Sequence, residues 1–144
     1  MITWIISALL ITLDQITKYL AHRDITPAAP DRITSFLNLV NVKNTGAAFG
    51  IMQTMGNAFF IAISAAAIIF IIVLLIRDRR KPAGLVLILS GALGNLIDRL
   101  SYGYVRDFID FHAGSHHWPA FNFADAYLSV GILLLFLGSF TRKK

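Results

Sequence analysis

Asp107, in Val105-Arg106-Asp107-Phe108, and Asp125, in Asn122-Phe123-Ala124-Asp125-Ala126, lie beside apolar segments. A charged side chain near hydrocarbon costs roughly 2.5 to 3.5 kcal/mol at a helix centre, so an ionisable residue there marks a functional site by default. Two carboxylates held close together cannot easily both ionise, so they share a proton. One then serves as base and the other as acid, with a water between them as the nucleophile for hydrolysis. Asp110, three residues after Asp107, competes for that role if the segment is helical. Asn122, three residues before Asp125, is spaced to orient its carboxylate, and Asn44, Asn95 and Arg99 are candidate polar supports or peptide-binding groups.

Other chemistries fit less well. His112, His116 and His117 could supply zinc ligands, but the Glu of His-Glu-x-x-His is missing, and Gly114 and Pro119 oppose a helix there. The better reading is a set of interfacial loop histidines that change charge with the outer pH. The chain has no cysteine, which excludes disulfides, cysteine zinc sites and thiol nucleophiles. It has no serine-nucleophile motif and no Gly-rich phosphate loop. Asp14, Asp98, Asp107 and Asp125 could relay protons in a small ion-coupled transporter. Those charges gather near one face instead of crossing the midplane, so they form no obvious path.

The elements that must position these residues are membrane helices. Of 144 residues, 56% are hydrophobic and 15% charged, with a mean hydropathy of +0.67. No linker divides the chain, so residues 1–144 form one membrane domain. Four apolar stretches are read at 2–19, 58–76, 83–99 and 121–140, and the uncharged second has almost the 20 residues that span a bilayer core. The first lacks a basic leader and a cleavage site, so it is a retained helix and not a signal peptide. Arg77, Arg79, Arg80 and Lys81 follow the second stretch, and Arg142, Lys143 and Lys144 follow the fourth. The positive-inside rule then puts both termini in the cytoplasm and the Asp pair near the outer surface. The same clustering explains the net charge of +5 without nucleic acid.

Within the first outer loop, Leu37-Asn38-Leu39-Val40-Asn41-Val42-Lys43 roughly alternates apolar and polar, and Asn44-Thr45-Gly46 has turn character. The expected fold is an all-α membrane protein of four transmembrane helices, with a small extracytoplasmic β-sheet cradle formed by that loop. Helical spacing puts Gly91, Gly94, Asn95 and Asp98 on one face, Asn122, Asp125 and Ser129 on another, and Ser7, Asp14 and Lys18 on a third. Polar groups on those faces must look inward, where Asp14, Asn95, Asp98 and Arg99 fasten helices together. Asp98 and Arg99 are adjacent and point apart, so they need not pair.

Five blocks carry a family resemblance: Leu13-Asp14-Gln15-Ile16-Thr17-Lys18, residues 44–50, residues 91–99, residues 105–110 and residues 118–125. In this order they resemble the lipoprotein signal peptidases of bacteria, the type II signal peptidases. The resemblance implies an aspartyl endopeptidase of the bacterial inner membrane, with Asp107 and Asp125 as catalytic pair. Beside that pair, the spacing and polarity of the residues themselves make Asp14, Asn44, Asn95, Asp98, Arg99 and Asn122 the candidate substrate-binding or supporting residues. The resemblance further implies a prolipoprotein substrate carrying a diacylglyceryl group, cleaved just before its lipobox cysteine, and inhibition by the cyclic peptide globomycin. By their place in the first outer loop, Phe49 and Gly50 are either part of a mobile lip over the site or, as is commoner for an outer-loop Phe, an anchor at the membrane interface. No metal or other cofactor is called for, membrane lipid is the surrounding partner, and a bundle with an internal site can act as a monomer.

Overall fold

The computed structural model describes residues 2–27, 29–46, 56–78 and 82–141. The chain runs α1 (Ile2–Asp24), β1 (Asp31–Arg32), β2 (Leu37–Asn44), α2 (Gly56–Arg77), α3 (Ala83–Tyr102), β3 (Val105–Ala113), β4 (His116–His117) and α4 (Phe123–Thr141). Three of the helices, α2, α3 and α4, are long and apolar enough to cross a membrane. The first is as long but carries Asp14, Lys18, Arg23 and Asp24, and its last turn continues past the expected end at Tyr19.

The sheet differs from expectation. It is antiparallel, in the order β1-β2-β3-β4, so the segment between α3 and α4 supplies half of its strands, including the longest. The segment between α1 and α2 alone does not form it. Val105, Arg106, Asp107 and Phe108 are all buried, so β3 is covered on both faces and loses the alternation by which a half-exposed strand is recognised. Between Leu39 and Val42 the register with β3 slips, a β-bulge. Nearby, the Asn41 amide donates to the carbonyls of His22 and Ile25, tying the sheet to the end of α1 (3.3 and 2.9 Å). At the end of α3, Gly103 adopts φ 81° and donates its N–H to the Arg99 carbonyl, turning the chain directly into β3.

The helix α3 is the hub, packing against α1, α2 and α4. Ile68, Ile71 and Leu75 of α2 meet Leu85, Val86 and Leu89 of α3 in an apolar core. Against α4 the contact is backbone to backbone. A Cβ added to Gly84 would sit 2.7 Å from the Gly131 carbonyl oxygen, and one added to Gly131 would sit 2.7 Å from that of Gly84. Lipid leaves no hydrophobic drive between helices, so such close approach is a main source of their association. Gly131→Val is expected to destabilise the protein by about 1 to 3 kcal/mol through overpacking. Gly138→Val, where an added Cβ meets nothing within 4 Å, is the control. Thermal unfolding in detergent distinguishes the two, and equal midpoints would disprove the close contact.

Candidate active site

Asp125 is the third residue of α4, and Asn122 stands just before the helix. The Asn122 side-chain oxygen accepts from the Asp125 N–H (3.1 Å), while the Asp125 carboxylate accepts from the Asn122 N–H (3.2 Å). This is a reciprocal capping box that satisfies two otherwise orphaned donors. The Asn122 Nδ2 is thereby left to donate to Asp107 Oδ1, at 2.7 Å. Main-chain bonds fix the approach: the Phe121 carbonyl accepts from Phe108 and Ile109, and the Phe121 N–H donates back to Ile109 (2.9–3.0 Å). A strand carboxylate and a helix carboxylate thus meet on one asparagine.

Two further amides complete the set. Asn44 Nδ2 donates to Asp107 Oδ2 at 2.9 Å, and Asn95 Nδ2 donates to Asp125 Oδ1 at 2.8 Å. The oxygen of each amide faces a group that can only donate: the Gly46 N–H for Asn44, the Asp125 N–H for Asn122 and the Lys18 ammonium for Asn95. That settles which end of each amide is nitrogen. All four carboxylate oxygens of the pair accept an N–H. Burial pushes the Asp107 carboxyl up to about 7, and the negative charge of Asp125 adds to the rise, against the opposing donors Asn44 and Asn122.

Behind the pair lies a fully buried ionic layer. Lys18 Nζ meets Asp14 Oδ2 at 2.9 Å, Asn95 Oδ1 at 3.0 Å and Asp98 Oδ2 at 3.6 Å. Asp98 also receives Arg106 Nη2 at 2.7 Å, and Gln15 joins Arg106 to the Gly94 carbonyl. Asp14 Oδ1 accepts the Ala124 N–H at 2.9 Å, serving α4 as a second cap supplied by another helix. Buried Arg99 donates Nη2 to the Gly46 carbonyl (2.7 Å) and stacks over Phe60.

The structure therefore brings together Asp107, Asp125, Asn44, Asn95 and Asn122, with Asp14 and Asp98 one contact behind them. Asp110 is separated. On a strand, residues three apart face opposite sides, and Asp110 accepts from Asn38 (3.0 Å) and faces His117 (2.9 Å). Ser129 does not join the inward face: it is exposed and donates to the Asp125 carbonyl. Among the described residues no three His, Cys, Asp or Glu side chains converge as a metal site, and His112 stacks on His117. Phe49, Gly50, residues 79–81 and residues 142–144 lie outside the described residues. Lys18, Gln15 and Arg106 were not expected at the site. The signal for Lys18 was its place one turn after Asp14 on a buried face, since a buried ammonium demands acceptors.

A model of the signal peptidase (SPase) II family matches residues 6–141. The chain belongs to this family. It is 48% identical over 126 residues to the lipoprotein signal peptidase of Thermodesulfovibrio yellowstonii, covering 88% of this chain and 86% of that one. To the lipoprotein signal peptidase of Burkholderia thailandensis it is 46% identical over 136 residues, covering 90% and 82%. A bacterial membrane enzyme solved by the in meso method superposes with a TM-score of 0.85 at 32% identity, covering 99% of this chain and 91% of that one. As a family member the chain is a protease, and its apolar helices make it a membrane protein.

Folded Asp107 holds its proton to about pH 7, whereas an unfolded aspartate loses it near pH 4. Between those values the folded state binds more protons, so stability falls as pH rises. The thermal midpoint in detergent is expected to drop from about pH 5 to about pH 8, and Asp107→Asn to flatten the slope. An unchanged slope in the variant would remove Asp107 as its source.

Proposed function

We propose that this protease removes the signal peptide from diacylglyceryl-modified prolipoproteins by aspartyl chemistry, cutting just before the lipidated lipobox cysteine. The observation that carries the mechanism is Asn122, which holds Asp107 and contributes to both hydrogen bonds of the capping box with Asp125. A water between the carboxylates attacks the scissile carbonyl as the ionised aspartate takes its proton. The protonated partner donates to the developing oxyanion, and the roles reverse as the amine leaves. A carboxyl at about 7 suits both roles at neutral pH. No covalent acyl-enzyme forms.

In this reading α1 joins the other three helices as a fourth membrane span of one domain, and the sheet lies at the outer face of the bacterial inner membrane. Both termini are cytoplasmic, following the basic residues after α2 and α4. The substrate enters sideways from the outer half of the bilayer, where its signal helix and lipid already reside. Asn44, Asn95, Arg99 and Asn122 support the reacting groups or the substrate backbone, and Asp14 and Asp98 hold the helices that carry them. The enzyme acts as a monomer, and globomycin inhibits it.

The test is cleavage of a diacylglyceryl-modified prolipoprotein by purified protein in detergent, followed by gel shift. Asp107→Asn and Asp125→Asn are each expected to lose at least about 1,000-fold in rate while staying folded, since each removes a proton-transfer partner. Asp110→Asn continues to cut, a chelator has no effect, and globomycin blocks the wild type. Full activity of Asp107→Asn would rule out the pair, and an intact precursor with the wild type would rule out the substrate.

A further inference from the structure

We propose that Lys18 is a positioning residue of the aspartyl pair: its buried ammonium holds the pair at a single negative charge and fixes the Asn95 amide against Asp125. The inference rests on the aspartyl reading and adds a regulator of the same site.

Two hydrogen bonds connect Lys18 to the carboxylate, Lys18 Nζ to Asn95 Oδ1 at 3.0 Å and Asn95 Nδ2 to Asp125 Oδ1 at 2.8 Å. An ammonium only donates, so Asn95 must present its oxygen to Lys18 and its nitrogen to Asp125. Without that donor the amide is free to turn its oxygen toward the carboxylate, which then has a reason to take up a proton.

The charge count points the same way. Among the described residues, the cations facing the site are Lys18 from α1, Arg99 from α3 and Arg106 from β3, and the anions outside the pair are Asp14 from α1 and Asp98 from α3. All five are buried. Three cations against two anions leave one positive charge, which a singly ionised Asp107–Asp125 pair cancels. His22 of α1, Tyr127 of α4 and Tyr102 of α3, whose ring lies against Arg106, add no net charge when neutral, and Asp110 of β3 is turned away onto Asn38 and His117. Lys43 of β2 is exposed and lies over Tyr104. Buried charge is tolerated where it is compensated, so neutrality of the cluster coincides with the protonation state hydrolysis requires. Lys18 is thus more than a fastener between α1 and α3.

The experiment is the pH profile of prolipoprotein cleavage for Lys18→Met, Asp14→Asn and the Asp14→Asn/Lys18→Met double variant. Asn at position 14 keeps an oxygen for the Ala124 N–H. Removing the cation is expected to move both limbs of the bell upward by about 1.5 pH units, by Coulomb interaction across about 8 Å at an effective dielectric near 20, and removing the anion to move both downward. The double variant returns the bell to its wild-type position even if its maximum rate is lower. A merely structural role would lower the rate at every pH and leave the limbs in place, and that result, or shifts of the same sign in both single variants, would overturn the inference. Should Lys18→Met alone fail to fold, Asp14→Asn and the double variant still give opposed expectations, a downward shift and none. The thermal midpoint against pH reads the same displacement without turnover. A wild type that leaves the precursor intact therefore defeats the substrate reading while the thermal profiles still decide the role of Lys18.

Discussion

The architecture depends on one side chain. Asn122 ends the segment bound to β3, begins α4 and receives Asp125 in a reciprocal cap, while its remaining N–H group reaches Asp107. Helix initiation and assembly of the pair are therefore one event: α4 in its native start frame delivers Asp125 to the position where Asp107 is already held. The Phe121 bonds to Phe108 and Ile109 make that frame rigid. Building a site on element ends locked by main-chain bonds is how a protein holds two carboxyl groups near one another without letting them relax apart.

The cost of such a site in a bilayer is the polar material beneath it. Lys18, Asp14, Asp98 and Arg106 form a buried ionic layer, and α3 contributes the Asp98 that links the cations of α1 and β3. Replacing one member leaves the others charged and unpaired in low dielectric, which is strongly destabilising. The small residues of α3 serve the same layer. At Gly94 an added Cβ would come within 2.6 Å of Asp14 Oδ2, so the carboxylate can cap α4 only because that position lacks a side chain.

Much of this was legible in the sequence because membrane helices and motif residues have strong signatures. The apolar runs gave α2, α3 and α4 to within a few residues, and the alternation over 37–43 gave β2. The strand β3 was not legible, since burial on both faces erases alternation, and with it the separation of Asp107 from Asp110 stayed open. Nor was the share of the sheet supplied by the segment between α3 and α4. Ser129 followed helical spacing from Asp125, yet it faces outward and satisfies its hydroxyl on its own helix. Lys18 was visible as part of an inward face, but its partners Asn95 and Asp98 come from a helix more than 70 residues away in the chain, and pairing over that distance is not written in spacing.

The three oriented amides carry a chemical vulnerability of a different kind. Asn44, Asn95 and Asn122 each point a nitrogen at an aspartate and an oxygen at a donor. Spontaneous deamidation would exchange that nitrogen for an acidic oxygen and set a third carboxyl against the pair, with almost no change in mass or shape. Such a lesion is invisible to a fold-based assay and severe for the chemistry. The lifetime of the three-amide arrangement is thus set partly by how well the fold holds each asparagine side chain away from the backbone nitrogen of the residue after it, whose attack starts deamidation.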